Sequence, residues 1–200
     1  MMKYNFLFLL FFTLSLFAQD SAITMRLSYG KASTADLGEI VTGTNNHIIN
    51  DYEVVSLNSA FLLGDNFFDI ANTTYYSNVE LSYFKDYGYS DAYELTMFLK
   101  VFYHPKVFKN YVRFGFGEGI SYVTAFLQVE KDEAIKENGK NSKFLNYLDI
   151  TLDFNVGKLL SQKDFYIGLL LKHRSGIFGL INNVEHGGSN YNCIYVEKRF

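Results

Sequence analysis

The chain has 200 residues, with 18 Lys and Arg against 21 Asp and Glu, and its net charge of -3 argues against a nucleic-acid partner. Its single cysteine, Cys193, excludes an internal disulfide framework and a cysteine-based metal site. It has 20 Phe and 16 Tyr but one proline, and after the N-terminus no eighteen consecutive residues are apolar, which excludes a membrane-spanning helix.

The N-terminus has the pattern of a secretory signal peptide. Lys3 precedes an apolar run from Phe6 to Phe17, and Ala18 is a small residue suited to cleavage. The run is too short to cross a bilayer as a helix. We therefore expect residues 1–18 to be removed on export and residues 19–200 to form one domain. Removal of Lys3 leaves 17 basic residues and a net charge of -4.

Eight stretches alternate between apolar and polar residues, as strands do when one face meets an apolar phase. In the clearest, every second residue from Tyr93 to Tyr103 is apolar. The predicted strands are Ser21–Gly30, Glu53–Leu63, Thr73–Phe84, Tyr93–His104, Tyr111–Val123, Phe144–Gly157, Phe165–Gly176 and Asn190–Phe200. Two polar segments, Lys31–Tyr52 and Ala125–Lys143, are predicted to be long loops. Glycines at 115, 117 and 119 of the fifth strand suggest a bulge or a close backbone approach, which leaves its register open.

Strand number and length predict an all-β fold, an eight-stranded antiparallel up-and-down barrel in the bacterial outer membrane. The strands have the length that tilted membrane strands need, the loops after odd-numbered strands are mostly the longer ones, and Phe200 is a terminal aromatic residue. Asp149, Asp153 and Asn155 suit a small polar interior, so we expect no open pore. A soluble sandwich, or a periplasmic barrel with a ligand in an apolar interior, predicts the same alternation and stays an alternative.

Two polar residues continue the apolar face of the seventh strand. The row of alternate residues from Phe165 to Leu171 is followed on the same face by His173 and Ser175, a base and a potential nucleophile. With a periplasmic N-terminus, this pair lies near the outer surface and faces lipid, where polar groups are costly and usually functional. Lys172 and Arg174 belong to the opposite face or the rim, where lumen carboxylates or headgroup phosphates would bind them. Four further polar residues are expected at this height on the lipid face: Glu118, Asn146, Asn190 and Asn192. Glu118 belongs to this set only if the glycines of the fifth strand leave the strand register intact.

The segment His173-Arg174-Ser175 on the penultimate strand resembles the lipid A deacylase (PagL-like) family of eight-stranded outer-membrane esterases. The motif continues with Asn183, Gly187, Gly188, Ser189 and Asn190, and covers about the last 30 residues. The resemblance implies that Ser175 attacks a 3-linked acyl ester of lipid A and that His173 is the general base. It implies Asn183 as an oxyanion-hole residue, lipid A or lipopolysaccharide in the outer leaflet as the partner, and no metal or other cofactor.

Two positions depart from the family pattern. Gly176 follows the serine where the family usually has asparagine, and Gly187 stands where a glutamate would orient the histidine. Glu185 is the first candidate for that orienting role. Because an asparagine orients the histidine of papain-like enzymes, an amide can replace the carboxylate. The remaining oxyanion or orienting candidates are Asn183, Asn190, Asn146 and Glu118.

Two other functions fit the same residues. A histidine and a serine at a strand end also occur at the headgroup level without a chemical role, which would make the chain a non-catalytic barrel with a surface-binding or structural role. Alternatively, the same pair would serve a phospholipase or another hydrolase of membrane acyl esters, since the chemistry is shared.

Overall fold

The structure, a computed structural model, describes residues 23–44, 47–106, 111–159, 164–177, 179–185 and 188–200. Its strands are β1 (Ile23–Ser33), β2 (Ile48–Asp65), β3 (Thr73–Asp86), β4 (Ala92–Tyr103), β5 (Val112–Val123), β6 (Phe144–Asn155), β7 (Phe165–Ser175) and β8 (Ser189–Arg199). Its helices are α1 (Leu37–Thr42) and α2 (Gln128–Lys136), with 3-10 turns at Phe67–Asp69 and Val156–Lys158. Within these ranges, no helix has the length and apolar character to cross a membrane. The predicted signal peptide lies outside the described residues and stays a prediction.

The eight strands form one closed antiparallel barrel. Each strand pairs with the next in sequence, and β8 pairs with β1 to close the sheet. Both helices belong to connections that follow odd-numbered strands, and these connections share one end of the barrel. Longer connections are typical of the outer end of a membrane barrel, so the termini lie at the periplasmic end. The predicted fold class is confirmed.

The two faces of each strand meet different surroundings, as β4 shows. Tyr93, Leu95, Met97 and Leu99 alternate outward and are 41% to 61% exposed, whereas the inward Glu94, Thr96 and Lys100 are at most 2% exposed. The apolar face of the barrel is thus on the outside and the charged face is inside. A water-soluble barrel has the reverse arrangement, so this exterior is built for contact with lipid. The chain is therefore a bacterial outer-membrane barrel, as predicted.

Ion pairs fill the interior. Asp149 accepts hydrogen bonds from Arg26 at 2.6 Å and from Lys100 at 2.5 Å, and Glu80 accepts from Arg26 at 2.9 Å and from Lys172 at 2.8 Å. A second group lies nearer the periplasmic end, where Arg113 binds Asp153 and Glu197 at 2.8 and 2.7 Å. Each charge is stabilised by buried partners rather than by water. Side chains therefore occupy the interior, as an eight-stranded barrel requires.

Both predicted long loops contain regular structure. The first pairs as strand up to Ser33 and again from Ile48, and between them α1 begins after Asp36, whose backbone N–H donates to the Glu39 side chain at 3.1 Å. The helix ends at Gly43, where φ is 70°. The second loop contains α2. The two segments were predicted to be loops because their composition is polar. That prediction was wrong for the residues that form strand ends and helices.

The β5 glycines produce a close approach rather than a bulge. All pair in continuous register with β4 and β6. A Cβ at Gly119 would lie 2.0 Å from the Met97 carbonyl oxygen, and one at Gly117 would lie 2.8 Å from the Phe98 ring. These glycines make room for neighbouring strands and rings, and the intact register keeps Glu118 on the outer face.

We expect Leu81→Arg to destabilise the barrel in lipid by about 2–4 kcal/mol, the cost of a cation deep in the apolar band. Leu81 is 60% exposed and pairs with Leu57 and Leu95, so no anion lies opposite it in the sheet. Urea unfolding in phospholipid vesicles measures the change. Tyr89→Arg is the control, since Tyr89 is 58% exposed but lies in an outer loop. Equal stability of the two variants would argue against a lipid-facing Leu81.

We expect Asp149→Ala to lower the free energy of unfolding by about 3–5 kcal/mol, because it leaves Arg26 and Lys100 without a shared anion in the interior. Heat-modifiable gel migration and urea unfolding measure the loss. Glu137→Ala removes a carboxylate from the exposed end of α2 and serves as the control. A change in Asp149→Ala no larger than the control's would contradict the importance assigned to the interior network.

Candidate functional site

The structure places His173 and Ser175 on the outer face of the barrel. Lys172 and Arg174 are at most 1% exposed and point inward, so their neighbours on β7 point outward. Both outward side chains are half-buried, and they continue the face of Ile167 and Leu169, which is open to lipid. β7 runs toward the outer end, so the pair lies near the outer limit of the barrel wall.

Strand register surrounds this pair with polar neighbours. His173 lies opposite Asn190 of β8, and Ser175 lies opposite Asn146 of β6. Side chains of directly opposed residues on one face are about 4.5–5.5 Å apart at Cβ. One strand further on, Glu118 lies opposite Leu148, which in turn is opposite His173. The lipid-facing wall of β5 to β8 therefore contains a polar patch near its outer end.

Asn190 orients the His173 ring. Asn190 Oδ1 lies 2.7 Å from His173 Nδ1, and the other half of the amide, Nδ2, donates to the Ala35 carbonyl oxygen at 2.9 Å. Because Nδ2 must donate to a carbonyl, Oδ1 faces the ring and accepts a hydrogen bond from it, so the ring hydrogen is on Nδ1. His173 Nε2 then has a free lone pair. This is the tautomer that a general base needs.

Ser175 lies beside the ring without bonding to it. Within the described part of the chain, the hydrogen-bond partner found for the His173 ring is Asn190, not Ser175. Two residues on one face of a strand are about 6–7 Å apart, a span that an imidazole side chain and a hydroxyl can close by rotation. Catalytic hydrogen bonds commonly tighten only when substrate binds. The arrangement is therefore compatible with proton transfer between the two side chains.

A cavity of about 940 Å³ adjoins both residues. Its apolar lining includes Phe116, Leu148 and Ile177, and the loop helices supply other parts of the wall. Its volume is in the range of small-molecule sites. The predicted site residues in its lining are Glu118, Asn146, His173, Ser175, Glu185 and Asn190. The structure thus brings six of the seven candidates to one cavity.

Two candidates from the β7–β8 connection lie apart from the histidine ring. Glu185 lines the cavity but is exposed, and the described partner of the His173 ring is Asn190 rather than Glu185. Asn182 donates to Ser142 Oγ and to the Phe144 carbonyl oxygen, both at 2.9 Å, which ties the loop to the start of β6. Asn183 follows with φ of 56°, is exposed, and lies outside the cavity lining. Asn146, not Asn183, is the amide next to Ser175.

Packing explains one departure from the family pattern. A Cβ at Gly176 would lie 2.0 Å from the Val184 carbonyl oxygen, so the loop leaves no room for a side chain directly after Ser175. An asparagine at this position would displace the loop. The other departure, Gly187, lies outside the described residues.

Sequence reasoning missed a buried carboxylate behind the site. Glu130 of α2 accepts hydrogen bonds from Arg174 Nη1 at 2.5 Å and from Ser189 Oγ at 2.9 Å, on the inner side of the wall. Burial raises the pKa of the Glu130 carboxyl, and the Arg174 guanidinium partly offsets that rise. Glu130 lies in a polar segment that was expected to be a loop, and its burial depends on how α2 packs against the barrel, which local composition does not specify. Among the described residues, no group of three or more His, Cys, Asp or Glu side chains could hold a metal ion.

Comparisons with known proteins identify no family. No protein-family model and no curated protein matches the chain. Neisserial surface protein A (NspA) is a structural match with a TM-score of 0.47 and 11% identity, covering 90% of this chain and 97% of that chain. The outer membrane protein AlkL in lipid bilayers matches with a TM-score of 0.37 and 11% identity, covering 90% and 89%. Similarities this low carry no argument about activity, and the fold assignment stands on the closed sheet itself.

We expect ¹⁵N NMR of the protein in detergent micelles to show His173 protonated at Nδ1 and unprotonated at Nε2 at neutral pH. Asn190→Leu removes the acceptor and should give a mixture of tautomers, whereas Asn190→Asp retains an acceptor and should keep the single form. His104, outside the site, provides the internal reference signal. A wild-type ring with its hydrogen on Nε2 would contradict the assigned hydrogen bond.

Proposed function

We propose that the chain is an outer-membrane acyl-ester hydrolase that removes an acyl chain from lipid A. The observation that carries the proposal is the His173–Asn190 hydrogen bond on the lipid-facing wall, beside Ser175. A base held in the correct tautomer has little structural purpose at that surface, where polar groups are costly. The resemblance of residues 173–175 to lipid A deacylases supports the choice of substrate.

In the proposed reaction, His173 Nε2 accepts the Ser175 hydroxyl proton while Oγ forms a bond to the ester carbonyl carbon. Collapse of the tetrahedral intermediate breaks the bond between that carbon and the alcohol oxygen, which takes the proton from His173. Water, deprotonated by the same ring, then attacks the acyl-enzyme carbonyl carbon. Collapse of this second intermediate breaks the bond between that carbon and Ser175 Oγ, which takes the proton back from His173 as the fatty acid leaves. Asn190 holds the ring orientation throughout and transfers no proton.

Asn146 is the residue that we propose for the oxyanion hole. It lies opposite Ser175 in the sheet, on the same face, and lines the same cavity. Its amide Nδ2 is a hydrogen-bond donor, and a donor beside the developing oxyanion lowers the barrier by stabilising its charge. We expect Asn146→Ala to reduce kcat about 100- to 1,000-fold with little effect on folding.

The surroundings support a lipid substrate. Ile167 and Leu169 are 47% and 60% exposed on the same face of β7, closer to the membrane centre than the pair. Acyl chains of an outer-leaflet lipid would lie along this row while the ester reaches Ser175. The lipid partner is thus lipid A or its parent lipopolysaccharide in the outer leaflet.

A non-catalytic barrel is the second candidate. It is favoured by the His173 ring's described hydrogen bond, which goes to Asn190 rather than to Ser175, and by loop helix α2, whose Val129 and Glu130 are buried against the barrel. In that case the loops would bind a surface partner or stabilise the barrel, and the polar patch would contact lipid headgroups.

Mass spectrometry of lipid A from cells that express the wild-type chain or Ser175→Ala separates the two candidates. We expect the wild type to yield lipid A that lacks one ester-linked acyl chain and Ser175→Ala to reduce the conversion at least about 1,000-fold. Ser77→Ala is the matched control, a serine on the outer face of β3 away from the patch. Equal acylation in wild type and Ser175→Ala would favour the non-catalytic barrel. Release of fatty acid from phospholipid instead of lipid A would reassign the substrate and retain the mechanism.

A further inference from the structure

The sheet ends close to the proposed site. The last pair between β7 and β8 joins Arg174 to Ser189, and the pair before it joins His173 to Asn190. Strand ends open more readily than strand centres, because fewer backbone hydrogen bonds hold them. The geometry of His173 and Asn190 therefore depends on what holds this end of the two strands together.

Glu130 bridges that last pair from inside the barrel. Its Oε1 accepts from Arg174 Nη1 at 2.5 Å and from Ser189 Oγ at 2.9 Å, so one carboxylate oxygen binds both strands. Arg174 lies between His173 and Ser175 in sequence, and Ser189 directly precedes Asn190. The bridge on the inner face and the proposed site on the outer face thus share the same backbone segments.

Burial of the Glu130 carboxylate is energetically unfavourable, so its position is not explained by packing alone. Glu130 is 1% exposed, and its second oxygen, Oε2, has no hydrogen-bond partner among the described residues. An unpaired polar atom in a buried site destabilises the folded state, because the hydrogen bonds it made to water are not replaced. Arg174 has other partners, since Nε donates to Ser121 Oγ at 2.9 Å and lies 3.2 Å from Glu94 Oε1. Lys172 also binds Glu94, with Nζ 2.5 Å from Oε2, so Glu130 is the carboxylate that Arg174 shares with no other cation of the described interior.

We propose that Glu130 is a positioning residue: from helix α2 it clamps the outer ends of β7 and β8 and thereby holds Asn190 against the His173 ring. The kinetic consequence rests on the proposed function, whereas the effect on the ring does not. Glu130 touches no substrate and takes no part in proton transfer. It acts through Arg174 and Ser189.

The experiment compares Glu130→Gln with Glu197→Gln in the full-length protein. Both remove one carboxylate charge from the interior, but Glu197 binds Arg113 at the periplasmic end, far along the strands from His173. Folding is checked by heat-modifiable gel migration. The readouts are the ¹⁵N signals of the His173 ring in detergent micelles and the kinetics of lipid A hydrolysis in mixed micelles.

We expect Glu130→Gln to give a mixture of His173 tautomers and to lower kcat about 10- to 100-fold with KM unchanged within about twofold, as displacement of a catalytic group does. Glu197→Gln should leave both readouts unchanged. If Glu130→Gln fails to fold, Ser189→Ala is used in its place, because it removes only the β8 half of the clamp. We expect Ser189→Ala, too, to give a mixture of His173 tautomers and a lower kcat.

A folded Glu130→Gln with a wild-type ring and wild-type kcat would overturn the clamp. Equal losses in Glu130→Gln and Glu197→Gln would also overturn it, since they would indicate a general effect of charge in the interior. If the wild type hydrolyses no lipid A, the proposed function fails. In that case the ring tautomer alone decides whether Glu130 positions His173.

Discussion

Closure of the sheet around paired charges is the constraint on which the rest of the molecule depends. Once the basic and acidic side chains of alternate positions neutralise one another inside, the remaining positions are free to be apolar and to face lipid. Asp149 and Glu80 each bind two cations, so the network ties together strands that are not neighbours in the sheet. The side chains of the same network occupy part of the described interior.

The exterior of the barrel is mostly apolar, and the polar patch at the outer ends of β5 to β8 is an exception. On β1 to β4 the outer face has tyrosines in the outer half of the strands, such as Tyr29 and Tyr83, whose hydroxyls donate to Glu53 at 2.7 Å and to Asp91 at 2.5 Å. Such aromatic residues are usual at the membrane interface. The outer ends of β5 and β6 also have aromatic residues, Tyr122 and Phe144. On β5 to β8, however, an imidazole, a hydroxyl and amides are added to them, and this addition distinguishes a candidate site from an interfacial girdle.

Much of the fold was predictable because alternation is a local property. Alternation with a period of two in β4 or β6 predicts which residues face lipid. The number of strands and the lengths of the loops predict an outer-membrane barrel. A loop prediction based on polarity alone missed helices α1 and α2, although Asp36 and Glu39 have capping-box spacing and Gln128–Lys136 consists largely of helix-forming residues. The role of Glu130 was hidden for the same reason. His173 and Ser175 were found by parity, but the choice among Glu185, Glu118 and Asn190 required the pairing of β7 with β8, which no single strand specifies.

The position of Asn190 has a wider consequence for recognising sites on barrel walls. The orienting side chain belongs to the residue paired with the histidine on the neighbouring strand. Its distance along the chain therefore changes with every insertion in the hairpin, while its position beside the histidine stays the same. A search by residue spacing loses such a group as soon as the hairpin grows. A search by strand register, which looks for the residue paired with the histidine on the neighbouring strand, would retain it.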